Sequence, residues 1–299
     1  MKDFDYQEDL QKNYAITEKE RKAYLDAVIA FFTTGKTPSK NPSLYFASGQ
    51  PGCGKTELIK MLNKENDGNA IIATFDEIRA MHPNFERASR ELNGDVHAAL
   101  FPDTDLANQF LIKYCQDHKL SLVREATMRR QDDIVLTSEM FKALGYSVDI
   151  RLMAVPKMES YEGMLYRYSQ ELERGVPARW ITREVHDVTY DKIVDTLRYV
   201  SSHDIYDRIG IYTRGDIKNG EPPRRIYSSE TKEFASPVEA LEYGRTHNKK
   251  DQTPEFLEET KRLIEIIEAK APSRIPDLDF IKDFYAKSIL RSPEKGLGE

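Results

Sequence analysis

Eight consecutive residues carry the sharpest chemical signal in this chain: Gly49, Gln50, Pro51, Gly52, Cys53, Gly54, Lys55 and Thr56. They meet the spacing G-x-x-x-x-G-K-[ST] of a phosphate-binding loop. Glycines let the backbone curl so that successive N–H groups aim at phosphate oxygens. The start of a helix adds its positive dipole end. Lys55 supplies a point charge for β- and γ-phosphates, and the Thr56 hydroxyl is a candidate Mg²⁺ ligand. The flanks agree with this reading. Leu44-Tyr45-Phe46-Ala47 reads as a buried strand, and Glu57-Leu58-Ile59-Lys60-Met61-Leu62 as a helix.

Other residue types fit around a bound triphosphate. Asp76 lies just past a second apolar strand, 69–75, where a carboxylate faces the transferable phosphate and accepts the proton of an attacking hydroxyl. The competing reading makes Asp76 the N-cap of a short helix, Asp76-Glu77-Ile78-Arg79. Glu125 ends a third strand, 120–123 closing at Arg124-Glu125, and either serves Mg²⁺ or a substrate hydroxyl or is a solvated charge. Thr127 and Arg129 follow on the same loop. Arg167, Arg174, Arg179 and Arg183 lie on a segment broken by Gly175 and Pro177. One or two of them are expected to close over the γ-phosphate, and the rest to be helix surface. His82, in Met81-His82-Pro83-Asn84, is expected to line the substrate pocket, whereas His97, His118, His186, His203 and His247 lack metal-ligand spacing. Tyr161, Tyr166 and Tyr168 read as packing.

The elements that must position these groups alternate. A capped helix opens at Thr17-Glu18-Lys19-Glu20 and continues through Tyr24, Val28, Phe31 and Phe32. Helices are expected over 104–118, 132–144, 158–174 and 182–199, and further strands over 147–155 and 205–212. This pattern predicts a P-loop kinase-like α/β fold, a parallel sheet with helices on both faces, binding ligands at the carboxyl ends of its strands. Beyond Pro222-Pro223 the sequence becomes highly charged, with helical spacing in Phe256-Leu257 and Leu263-Ile264-Ile267. The expected organisation is a kinase domain over 1–224 and a helical C-terminal extension over 225–299 packed on it.

The chain has 299 residues, 39% hydrophobic and 31% charged, with a net charge of −6. That balance disfavours nucleic acid as a partner, and no apolar run approaches the ~20 residues of a membrane span. The acidic start Met1-Lys2-Asp3-Phe4-Asp5 does not resemble a signal peptide. Two cysteines, Cys53 and Cys115, suggest neither a disulfide framework nor a zinc site, so a cytoplasmic location is expected. Cys53, near a helix N-terminus, is a candidate for oxidation. Asn248-Lys249-Lys250-Asp251 and Asp207-Arg208-Ile209-Gly210 match GTPase patterns, but the first lacks a preceding apolar strand and the second falls inside one.

Taken together, several segments resemble the zeta toxin family. They are Ser48 to Thr56, Asp76 through His82-Pro83-Asn84-Phe85, Glu125-Ala126-Thr127-Met128-Arg129 and Met153-Ala154-Val155-Pro156-Lys157. Ser160-Tyr161, Arg167-Tyr168, Ala178-Arg179 and His186-Asp187 complete the set, covering about 40–215. The resemblance implies an ATP- and Mg²⁺-dependent kinase that phosphorylates the 3′-hydroxyl of the amino sugar in UDP-N-acetylglucosamine and so poisons peptidoglycan precursor synthesis. It implies Asp76 as catalytic base, Lys55 and Thr56 on ATP and its metal, and Arg167 and Arg179 on the ATP phosphates. Glu125 and Thr127 would hold the sugar nucleotide, with Arg129 beside them. A three-helix antitoxin is the implied partner, covering the nucleotide site. Ala126 and Met128 stand where the family commonly has glycines, and the Arg167–Arg179 stretch is about one residue short, which leaves room for other UDP-sugars such as the N-acetylgalactosamine form.

Other readings of the same motif are a phosphotransferase acting on another small-molecule hydroxyl, such as that of an antibiotic, or a non-catalytic nucleotide-binding module working through its C-terminal helices.

Overall fold

The computed structural model describes residues 2–92, 96–176, 178–215, 221–247, 251 and 253–291. Asn248 to Lys250 of the GTPase-like match lie outside them. In chain order the elements begin α1 (Lys2–Asn13), α2 (Glu18–Thr33), β1 (Ser43–Ser48), α3 (Lys55–Glu65), β2 (Ile71–Ala73), α4 (Phe75–Ala80), α5 (Phe85–Glu91), α6 (His97–Asp117) and β3 (Leu122–Ala126). They continue α7 (Gln131–Ala143), β4 (Ser147–Met153), α8 (Lys157–Glu173), α9 (Arg183–Ser201), β5 (Arg208–Thr213), β6 (Arg224–Ser228), α10 (Pro237–His247), α11 (Pro254–Lys270) and α12 (Ile275–Arg291). The helix start expected at Thr17 is realised in full: the Thr17 hydroxyl accepts from the Glu20 N–H while the Glu20 carboxylate accepts from the Thr17 N–H.

Among the described residues six strands form one sheet, ordered β2-β3-β1-β4-β5-β6. The first five are parallel, as the alternating pattern predicts, but β6 runs antiparallel to β5 at the edge. The sequence reading did not anticipate β6, nor the N-terminal helix α1. Alternate residues of β1 enter different apolar clusters. Leu44 and Phe46 join a cluster with α2, α6, α7 and α9, whereas Tyr45 and Ala47 face Leu58 and Leu62 of α3. Both faces of the sheet are therefore covered, which explains why Leu44, Phe46, Val148, Ile150, Ile209 and Ile211 of its parallel strands are fully buried.

Strand β3 ends at Ala126, one residue past the expected end at Glu125, because Ala47 and Ser48 of β1 pair with Glu125 and Ala126. Pairing to a central strand outweighs the weak strand preference of Arg124 and Glu125. A third cluster joins α8 to the C-terminal helices: Tyr161, Leu165 and Tyr168 pack with Leu263, Ile264, Ile267, Leu278 and Ile281. Among the described residues, no helix is long and apolar enough to cross a membrane.

Candidate active site

Strand β1 lies between β3 and β4, so the chain leaves it at the point where strand order diverges, and a crevice opens beyond the carboxyl ends. Gly49 to Gly54 fill that exit and Lys55 opens α3. The loop is held from outside by α8. A side chain on Gly52 would collide with the Ser160 carbonyl, and one on Gly163 with the Gly52 carbonyl, so backbone meets backbone there. Arg214, just past β5, donates to the Gly52 and Glu159 carbonyls and sits beside the Glu159 and Glu162 carboxylates.

Lys55 Nζ donates to the Gly49 and Gln50 carbonyls (3.0 and 3.2 Å) and lies 3.5 Å from Glu125 Oε1. The strand register explains this contact, since Glu125 sits opposite Ala47, just before the loop. Thr56 is exposed on the first turn of α3. An N–H-rich loop, a lysine and an accessible hydroxyl are the donor set a triphosphate and its divalent cation require. Gly49, Gln50, Gly52 and Gly54 supply the loop backbone, with Pro51 and Gly52 facing the cleft.

Asp76 is not the N-cap. Thr74 caps α4 through a reciprocal box with Glu77, which leaves the Asp76 carboxylate in the first turn, free for other partners. Three arginines take it. Arg79 Nη1 and Arg179 Nη1 reach Oδ1 (2.7 and 3.3 Å), and Arg167 Nη2 reaches Oδ2 (3.1 Å). Burial alone would push the carboxyl up, but Arg179, Arg167 and Arg79 outweigh it and hold it below its ordinary range. Asp76 is therefore a carboxylate at neutral pH. Of the four arginines singled out by sequence, Arg167 and Arg179 converge here. Arg183 instead stacks on Phe280 (4.6 Å), and Arg174 caps α8 at the surface.

A cleft of about 360 Å³ joins these groups: Lys55, Asp76, Glu125, Thr127, Arg129, Arg167 and Arg179 all line it. Its other wall is apolar, built from Tyr161, Met164, Tyr168, Trp180, Phe280 and Ile281. Met128, buried beside Thr127, has φ +54°, the left-handed backbone that a glycine adopts without strain.

Two expectations need correction. His82 does not line the cleft. It is buried behind α4, where Nδ1 accepts from the Asn84 N–H (3.1 Å), Nε2 lies 3.5 Å from Asp103 and the ring packs edge-on to Tyr24. Cys53 is not a reactive thiol. It is fully buried, and burial pushes its thiol up despite Lys55 and Arg214.

Sequence reasoning missed Arg79 and Glu171. The i, i+3 spacing of Asp76 and Arg79 was a readable signal. It also passed over a Ser–His–Asp line, in which Ser160 Oγ lies 2.8 Å from His186 Nε2 and His186 Nδ1 3.1 Å from Asp187 Oδ1. Ser160 and His186 are wholly buried and absent from the cleft wall, and Ser160 Oγ donates to the Lys157 carbonyl (2.8 Å). The line is a strut tying the start of α8 to the start of α9.

A phosphate loop on the central strand, an aspartate on the neighbouring loop and arginines from beyond the sheet define a P-loop kinase-like α/β protein. The family profile described as Zeta toxin matches residues 29–220, and the chain belongs to that family. Toxin zeta of Streptococcus pyogenes is 28% identical over 254 residues, spanning 80% of this chain and 88% of that protein. Toxin PezT of Streptococcus pneumoniae is 32% identical over 200 residues, spanning 66% of this chain and 79% of that protein. A structure from the PezAT chromosomal toxin–antitoxin system of S. pneumoniae superposes with a TM-score of 0.74 at 27% identity, covering 85% of this chain and 99% of the other. The AvrRxo1-ORF1:-ORF2 complex with ATP shares the fold alone, with a TM-score of 0.52 at 14% identity over 90% of this chain and 84% of the other.

Proposed function

We propose that the protein is an ATP-dependent phosphotransferase that phosphorylates the 3′-hydroxyl of the amino sugar in UDP-N-acetylglucosamine, and that it is the toxin of a toxin–antitoxin pair. The observation that carries this reading is that Lys55, Asp76, Arg167 and Arg179 line one cleft, with both arginines on the Asp76 carboxylate. Family membership supports the kinase class, and the names of the relatives support the toxin role and an antitoxin as partner, which we take to be a small helical protein.

In this reading the loop N–H groups and Lys55 grip the β- and γ-phosphates. The exposed Thr56 hydroxyl would hold Mg²⁺, which would supply charge neutralisation beside the phosphates. Arg167 and Arg179 leave Asp76 for the γ-phosphate, where they stabilise charge developing in transfer. Asp76, relieved of two cations, accepts the proton of the sugar hydroxyl as its oxygen bonds to the γ-phosphorus and the bond to ADP breaks. Glu125, Thr127 and Arg129 orient the sugar nucleotide. Met128, holding the backbone conformation of a glycine where the family commonly has one, leaves related UDP-sugars such as the N-acetylgalactosamine form as further acceptors.

The test is incubation with ATP and a panel of UDP-sugars, read by mass spectrometry. One sugar nucleotide gains a phosphate. Asp76→Asn slows that transfer by roughly 10²–10⁴-fold, because only the proton acceptor is lost, while calorimetry finds ATP still bound. Wild-type turnover in that variant, or a panel with no phosphorylated member, overturns the assignment.

A further inference from the structure

The two arginines on Asp76 are not independent of one another. Glu171, four residues beyond Arg167 on α8, accepts from Arg167 Nε through Oε1 (3.0 Å). Its Oε2 accepts from the backbone N–H of Arg179 (2.9 Å). Asp76 takes Arg167 through Oδ2 and Arg179 through Oδ1. The contacts close a ring of four residues in which two carboxylates alternate with two arginines.

The main chain of Glu171 holds the same stretch. Helix α8 ends with the Val176 N–H on the Glu171 carbonyl and the Gly175 N–H on the Leu172 carbonyl, each 3.2 Å. Gly175 takes φ +66°, so this is the Schellman ending that turns the chain back along its own helix. Past the turn, Trp180 packs edge-on to Tyr168 (4.9 Å) and under the Arg274 guanidinium (5.6 Å), so the turn between α11 and α12 braces the residue next to Arg179.

The division of atoms is chemically selective. Glu171 takes Nε of one arginine and only the backbone of the other, leaving the terminal guanidinium nitrogens of both for another anion. Its side chain is 18% exposed, against 54% for Arg167 and 47% for Arg179, so the anchor is fixed and the cations reach outward. An anion that displaced Asp76 would leave both Glu171 contacts intact.

We infer that Glu171 is a positioning residue that aligns Arg167 and Arg179 as one unit for a triphosphate. This rests on the phosphotransferase reading for its ligand. Preorganised cations lose less freedom when phosphate arrives, and that gain reads as affinity and rate. An ordinary i, i+4 surface pair would contribute almost nothing to either.

The experiment measures ATP affinity by calorimetry for the full chain and for Glu171→Ala, Arg167→Ala and the double variant, with thermal midpoints alongside. The emission of Trp180, the one tryptophan in the chain, reports on the Arg179 segment directly. The expected result is a roughly tenfold weaker dissociation constant for Glu171→Ala, with the double variant little weaker than Arg167→Ala. Glu171→Gln, which keeps size and one acceptor, recovers part of the loss. Wild-type affinity in both Glu171 variants, or fully additive losses in the double variant, overturns the inference. If the wild type binds ATP but phosphorylates no UDP-sugar, the acceptor assignment falls and the affinity cycle still decides Glu171. A wild type that does not bind ATP overturns both.

Discussion

At the scale of single residues, the site is governed by which charge faces which. Asp187 illustrates a carboxylate whose stabilising role is separable from chemistry. Burial pushes it up, but hydrogen bonds from Tyr161, His186 and Lys157 prevail and hold it at about 2. A carboxyl depressed from its ordinary 3.8 stabilises the folded state fully above the unfolded value, and the contribution fades as pH falls toward 2. Asp187→Asn should therefore cost on the order of 2 kcal/mol at pH 7. In urea titrations at descending pH, the gap from wild type should close below pH ~3; a gap that persists at pH 2 would mean that packing rather than charge is lost.

The residue scale is also where the sequence was most readable and where it misled. Lys55 and Asp76, which the structure brings to one cleft, were legible from the loop spacing and from the end of a strand. His82 misled because it is near Asp76 in sequence, yet the short helix between them turns it to the opposite side. Glu171 was not legible at all. Its two contacts depend on a chain reversal at Gly175 that brings Arg179 back beside it, and no periodicity records such a return.

At the scale of elements, β4 carries an unexpected feature. Asp149 and Arg151 are both buried in a strand that its neighbours mark as core, and Arg151 also forks onto Glu65 of α3 (3.0 and 2.6 Å). The guanidinium lies between the rings of Tyr45 and Tyr212, at 5.9 and 5.8 Å. Burial raises the Asp149 carboxyl, with Arg151 and Arg208 opposing. Removing Arg151 strands a buried acid. Arg151→Met should destabilise the protein by about 3–5 kcal/mol, and the double change Asp149→Asn/Arg151→Met by distinctly less. Equal losses in chemical denaturation would show that the pair is not coupled. Most helices and strands followed from apolar spacing, but α1 and β6 did not: an edge strand opening with Arg224-Arg225 has little alternation to read, and its partner β5 decides its fate.

At the scale of the whole molecule, the sheet ends deliberately on both sides. On one margin β2 is three residues long. On the other, β6 begins with two exposed arginines, and its pairing with β5 slips by a bulge at Ile211/Tyr212. Short length, positive charge and irregular register each stop a neighbouring copy from adding its own strand. Arg224→Val/Arg225→Val should make the protein self-associate with concentration, seen as rising mass in light scattering; an unchanged mass would place the safeguard elsewhere. Margins of this kind favour colloidal discretion: crowded copies slide past one another instead of growing into ribbons.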